Sequence, residues 1–390
     1  MSLFYQSYSS EKKLLSKLPS LDAPRHGGDL KRARQAYPDI KHWVDLSAGL
    51  NPDSWPVPAI PVSCFQDLPD DYDALLQAAR GYYRQLDLWP VNGSQQGIEL
   101  LSALFLRQIS ETQSIDIGPE AKRCSYTKTV AVPEEGYREH AWCWQKSGFE
   151  VLCYHASNAL ELIACAEACD ILVVINPNNP TGQHFSRETL LACHRILAGK
   201  QGWLVVDEAF IDAYSSAEQE RLSVACDACD SIIVLRSIGK FFGLAGIRSG
   251  FVLAGATLIE ELKINTGPWP VSGVTSWLTT RMLNDVAWQS RAREQLADKS
   301  RRLAIHLEHA FPQNLELGQT PLFVSLVLLA DASEYHGSVR WVQQKLAQQG
   351  IWVRTFEPYG RLRFGLPGDE HELNRLISSL KSMAPPRSVY

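Results

Sequence analysis

The sequence predicts an α/β protein: a large domain on a mostly parallel sheet flanked by helices, then a smaller α+β domain. Three observations lead there. Between residues 129 and 253, short β-branched apolar runs alternate with amphipathic stretches, as strands buried on both faces by crossover helices do. Polar, turn-rich segments stand directly after several of those runs. Finally, Gly267-Pro268-Trp269-Pro270 breaks the alternation, and the stretch beyond it is charged and helical in period.

The expected strands of the large domain are 129–132, 151–154, 171–175, 204–206, 232–235 and 251–253. Between the third and fourth lies Asn176-Pro177-Asn178-Asn179-Pro180-Thr181-Gly182. Ser186 then suits the N-cap of a helix with Leu190, Leu191, His194 and Leu197 on one face, completing a βαβ unit. After the break, 276–311 reads as one long helix studded with Arg281, Arg291, Arg293, Arg301 and Arg302. An apolar run at 322–329, a helix at 339–349, extended runs at 351–354 and 362–365, and a closing helix at 370–382 make up the smaller domain. The expected division is residues 1–50 as an N-terminal segment packing with the small domain and the active site, 51–265 as the large domain and 266–390 as the small one.

Composition narrows the function classes. With 390 residues and 45% hydrophobic content, the chain can bury a large core. A net charge of −5 with scattered lysines and arginines offers no basic footprint, so nucleic acid is not an expected partner. The first twenty residues carry charges without a long apolar stretch, and 322–330 is too short to span a bilayer, so the chain reads as soluble and unexported, with no membrane partner. Nine dispersed cysteines suit a reducing cytoplasm better than a disulfide scaffold. Cys226-x-x-Cys229 and Cys165-x-x-x-Cys169 lack histidine neighbours at ligand spacing, and no metal site is expected.

In an open parallel sheet, ligands gather beyond the carboxyl ends of the strands. Asn176 to Gly182, Asp207, and Ser237 with Lys240 all follow strand-like runs, bringing amide, acid, hydroxyl and amine toward one crevice. A nucleotide loop is excluded on spacing: Val234 and Phe241 stand where Gly and Ser or Thr would be needed around Gly239-Lys240, and Gly243 to Gly250 lacks the dinucleotide pattern. There remains a Schiff-base lysine for an aldehyde-phosphate cofactor, with an acid to charge its pyridine nitrogen.

These residues resemble a known family, the pyridoxal-phosphate enzymes of the aspartate aminotransferase fold, over nearly the whole chain. The likeness rests on Asn176 to Gly182, Val205-Val206-Asp207-Glu208-Ala209, Ser237-x-x-Lys240 and Ala245-Gly246-Ile247-Arg248, in the family's order and approximate spacing. It implies a seven-stranded-type, mostly parallel large-domain sheet that binds the cofactor, pyridoxal 5'-phosphate, and a homodimer. It further implies catalytic roles for Lys240, Asp207 and Tyr137. Lys240 would carry the aldehyde and move protons, Asp207 would pair with the pyridine nitrogen, and Tyr137 would stack on the ring. Asn179 would donate to the phenolate oxygen, and Arg248 and Ser237 would hold the phosphate. Further phosphate ligands would come from Asn92-Gly93-Ser94-Gln95-Gln96, chiefly Gly93, Ser94 and Gln95, at the start of a helix. Phe210 stands where many relatives have tyrosine, removing one hydroxyl near the phenolate.

The cofactor alone does not choose a reaction. His26-Gly27-Gly28-Asp29 and Val44 to Pro52, together with Gly267 to Ser272, look like the threonine-phosphate decarboxylases of cobalamin biosynthesis, with histidinol-phosphate aminotransferases as the alternative. Leu68-Pro69 replaces the Tyr-Pro usual in the aminotransferase, which leaves a cross-subunit phosphate contact for which Tyr72 is the substitute. The substrate residues implied are Arg363 for the carboxylate, with Arg354, His26, Gly27 and Gly28 for the substrate phosphate and Asn51 beside them. A DNA-binding regulator with an aminotransferase-like domain is disfavoured, since the residues before Asn51 are too few and not basic enough.

Overall fold

The computed structural model describes residues 14–18, 24, 29–69, 71–115, 128–312, 316–328 and 338–383, without side chains at 107–115. Among these residues the strands are β1 (Leu15–Lys17), β2 (Val44–Leu46), β3 (Leu88–Val91), β4 (Thr129–Pro133), β5 (Glu150–Tyr154), β6 (Ile171–Ile175) and β7 (Trp203–Asp207). They continue with β8 (Ile232–Ser237), β9 (Gly250–Leu253), β10 (Glu316–Thr320), β11 (Phe323–Val327), β12 (Ile351–Phe356) and β13 (Arg361–Gly365). Two sheets result, ordered β1-β5-β4-β6-β7-β8-β9-β3 and β10-β11-β13-β12-β2.

The larger sheet is parallel through β5, β4, β6, β7 and β8, as the apolar runs require. Successive side chains of a strand point to opposite faces, and both faces here are covered. Leu172, Val174, Leu204 and Val206 enter one buried cluster, while Ile171, Val173 and Val205 enter another. The sheet has one strand more than the seven-stranded type, because β1 adds to β5 as an antiparallel edge. β3 has no counterpart among the expected strands: Pro90 lies within it, which a strand tolerates at a sheet edge such as this one.

β2 leaves the N-terminal segment to pair in parallel with β12, so the smaller sheet takes its edge from the beginning of the chain. The expected helix at 276–311 is two helices, Gly273–Asn284 and Val286–Ala310. Asp285 breaks it because its carboxylate accepts the Trp288 N–H (3.1 Å) as an N-cap and also accepts Trp55 Nε1–H (3.0 Å).

Three chemically useful positions fall at the carboxyl ends of adjacent parallel strands. Asp207 closes β7, Ser237 closes β8, and Asn176 follows β6. Lys240 sits just beyond β8 on the one-turn helix Ile238–Phe241.

Candidate active site

The crevice at these strand ends is bounded first by donors. The helix Gly93–Ile115 begins as β3 ends, with Gly93 at φ 73°. A side chain there is excluded twice: by the left-handed backbone and because a Cβ would lie 2.6 Å from Arg248 Nη2. A Cβ on Gly250 would likewise lie 2.7 Å from the Ser94 nitrogen, and Gly250 pairs with Ser237 across β8 and β9. Gly93, Ser94, Ser237 and Arg248 therefore converge. Among the described residues the Arg248 guanidinium hydrogen-bonds only to the Ala245 carbonyl, at 3.5 Å, and pairs with no carboxylate. First-turn helix N–H groups, two hydroxyls and a guanidinium without a counter-charge form a cradle for a multiply charged anion.

Lys240 lies deeper. Burial, then the neighbouring Arg363 and Arg248, lower its pKa to about 8, against an opposing pull from Asp207. Among the described residues no hydrogen bond or ion pair holds its amine; its Nζ stands 5.6 Å from the centre of the Phe210 ring. Asp207 is buried, with Oδ1 accepting the Ala209 N–H (3.0 Å) and Oδ2 3.0 Å from His140 Nε2. A carboxylate only accepts, so His140 donates through Nε2. Its buried Nδ1 is then left without a partner among the described residues.

Tyr137 follows β4 and sends its hydroxyl to Gln95 Oε1 (3.0 Å). Gln95 Nε2 donates to Glu139 (2.8 Å) and Glu99 (3.0 Å), so this side chain spans helix and tyrosine while its backbone belongs to the anion cradle. Asn179 Oδ1 accepts a bond from Arg363 Nη1, and Arg363 Nη2 donates to the Ser47 carbonyl. Arg363 is buried, its Nε without a partner among the described residues, and burial followed by Arg354, its neighbour in register across β12 and β13, lowers its pKa. Arg354 lines a separate cavity of about 760 Å³ together with Ser47, Arg32 and Trp352.

Other expected residues lie differently. Asn51 is buried, but its amide donates to the Phe241 carbonyl (3.0 Å) and its oxygen accepts the Asp53 N–H (2.9 Å), so its side chain ties the backbone next to Lys240. The Tyr72 hydroxyl donates to the Val271 carbonyl (2.8 Å) within its own chain. His26, Gly27 and Gly28 lie outside the described residues. His140 carried no local sequence signal, since only the folded chain brings helix Glu139–Lys146 against the end of β7.

Comparison with known proteins settles the family. A model of aminotransferase class I and II matches residues 111–380. The chain belongs to that family. This aminotransferase-family enzyme is 36% identical to a threonine-phosphate decarboxylase of Pseudomonas aeruginosa, over 93% of this chain and 98% of that one. It is 31% identical to a threonine-phosphate decarboxylase of Sinorhizobium sp, over 92% and 98%. Its fold matches the histidinol-phosphate aminotransferase of Sinorhizobium meliloti in complex with pyridoxal-5'-phosphate, with a TM-score of 0.72 and 18% identity over 93% and 96% of the two chains.

The enzyme depends on pyridoxal phosphate, and the site fits that group on its own geometry. The glycine-lined anion cradle, the half-buried amine of depressed pKa and the buried carboxylate are the three features the phosphate, the aldehyde and the ring nitrogen call for. A pH dependence results. Only the neutral amine captures an aldehyde, and with a pKa of about 8 roughly a quarter of Lys240 is neutral at pH 7.5. Cofactor capture by the cofactor-free enzyme is expected to accelerate from pH 6.5 through pH 8 and level off by about pH 9, as followed by absorbance in stopped flow. For an unperturbed lysine the rise would continue past pH 10.

Among the described residues no helix is long and apolar enough to cross a membrane, and no cluster of His, Cys, Asp and Glu could hold a metal ion.

Proposed function

We propose that this enzyme decarboxylates L-threonine O-3-phosphate to (R)-1-amino-2-propanol O-2-phosphate, a step of cobalamin biosynthesis. The observation that carries the reading is Arg363: this buried guanidinium, held by Asn179 and the Ser47 carbonyl, lies close enough to Lys240 to help lower its pKa. A substrate carboxylate seated on Arg363 is therefore held beside the reacting lysine. The names of the relatives at 36% and 31% identity support the same choice.

Each residue then has a task. Arg248, Ser237, Ser94 and the first N–H groups of the helix at Gly93 would hold the cofactor phosphate, Tyr137 would cover one ring face, Asn179 Nδ2 would donate to the phenolate oxygen, and Asp207 would keep the pyridine nitrogen protonated. Bound there, the cofactor supplies an electron sink for the bond broken at Cα. Arg363 orients the carboxylate for loss as CO2, and the Lys240 amine delivers the proton that replaces it. Arg354 is assigned to the substrate phosphate. The partner is a second copy of the chain, for which the exposed Val62, Phe65 and Leu68 offer an apolar patch beside the helix Gly273–Asn284.

Incubation with threonine phosphate is expected to release CO2 and the amine phosphate with no keto acid added. Glutamate-dependent keto-product formation from histidinol phosphate, without CO2, would establish the aminotransferase alternative. Arg363→Ala is expected to keep the cofactor, seen as retained visible absorbance, while raising KM for threonine phosphate about 10–100-fold, the worth of a charge-assisted hydrogen bond.

A further inference from the structure

Arg361 lies two residues before Arg363 on β13, so both project from the same face of the strand. It takes no part in the chemistry above, yet it is among the largest fully buried side chains of the protein. Its guanidinium holds Glu135 through both carboxylate oxygens, at 2.5 and 3.2 Å, and reaches Glu316 at 3.1 Å and the Ser325 hydroxyl at 3.4 Å. Glu135 precedes Tyr137 by two residues in the loop after β4. Burial raises the Glu135 carboxyl pKa, and Arg361 draws it back down.

A closed circuit connects this pair to Arg363. The Glu135 carbonyl accepts the Asn178 amide (2.7 Å), Asn178 adjoins Asn179, and Asn179 accepts from Arg363. The smaller sheet presses on the same loop elsewhere: the Ser325 hydroxyl donates to the Thr181 carbonyl, and Gly318 must be glycine because a Cβ there would stand 1.7 Å from that oxygen. The Tyr359 hydroxyl adds a bond to the Glu134 carbonyl (2.8 Å). Two arginines of one strand thus grip two loops of the larger domain, and those loops are tied to each other.

We propose that Arg361 is a positioning residue: its ion pair with Glu135 sets the loops bearing Tyr137 and Asn179 in register with Arg363, so that a substrate carboxylate meets the guanidinium at the right depth. The proposal rests on the assignment of Arg363 to that carboxylate. Losing the pair leaves the phosphate ligands Gly93, Ser94, Ser237 and Arg248 in place, because none of them belongs to the circuit, and the one link toward them is the Tyr137 hydroxyl on the Gln95 side chain. The effect therefore falls on ligands that carry a carboxylate and spares those that lack one.

The test compares the holoenzyme with Arg361→Met/Glu135→Gln, which removes both charges and leaves neither buried alone. Two numbers are read: KM for threonine phosphate, and the inhibition constant of the amine phosphate product, which has no carboxylate. The double variant is expected to retain cofactor, raise KM at least tenfold and leave the inhibition constant within twofold. Arg361→Lys, which keeps one ion pair and the fold, is expected to stay within about threefold on both. Arg363→Lys serves as reference and should raise KM alone. If KM and the inhibition constant of the double variant rise together, Arg361 is merely structural and the proposal is overturned. It is overturned equally if neither moves while Arg363→Lys raises KM. If Arg363→Lys leaves KM unchanged, the carboxylate assignment itself falls. Should the enzyme prove an aminotransferase, L-glutamate and 4-aminobutyrate form the matching pair.

Discussion

Replacing Lys240 with alanine is expected to remove the yellow absorbance of lysine-bound cofactor and to lower turnover by about 10⁴-fold, the upper range for a positioned acid–base group. The size of the effect reflects where the amine sits. It is half-buried, its proton is weakly held, and no protein group occupies it among the described residues, so its carbonyl-binding and proton-transfer roles have no substitute nearby. The fold should survive, because the substitution removes an amine whose charge is disfavoured there and leaves the packing of Phe241 and Phe242 in place. Near-native melting with normal absorbance and turnover would remove the basis for the whole site.

Asp207→Asn is expected to give the next largest loss, up to about 10³-fold in kcat. An opposite charge raises the proton affinity of a neighbouring base by one to three pKa units, each tenfold in population. The amide keeps the shape, its oxygen can still accept the Ala209 N–H, and the His140 ring in its other tautomer accepts from the new NH2 through Nε2, so the missing quantity is the negative charge. Cofactor should remain bound, with its absorbance becoming pH-dependent near neutrality as the ring nitrogen loses its proton. A variant with full kcat would show that the charge at position 207 does not govern the ring.

Much of this arrangement is legible in the chain because it is local. Asp207, Ser237 and Lys240 close or follow apolar runs, and a strand's direction alone carries them to one edge of the sheet. What a Cβ at Gly93 or Gly250 would strike shows only in the fold. Partnerships across the chain are another matter. His140 meets Asp207 only because a helix crosses the end of β7, and Gln95 could not be assigned to Tyr137 without knowing that two distant segments adjoin. β3 hides behind Pro90, and β2 is too short for a period to register. The division of 276–311 at Asp285 depends on a capping bond that propensity does not distinguish from a mid-helix aspartate.

The pairing of β2 with β12 has a consequence for biosynthesis. Val44 finds its partner at Ile351, so an early-made strand must wait while roughly 300 further residues are translated, about 15–60 s at ordinary elongation rates. The interior of the larger sheet, whose parallel strands all lie between Thr129 and Ser237, can assemble during that interval. The cradle residues Gly93, Ser94, Ser237 and Arg248 are thus all translated before the smaller sheet can close, and the Arg363 side of the cleft is made last.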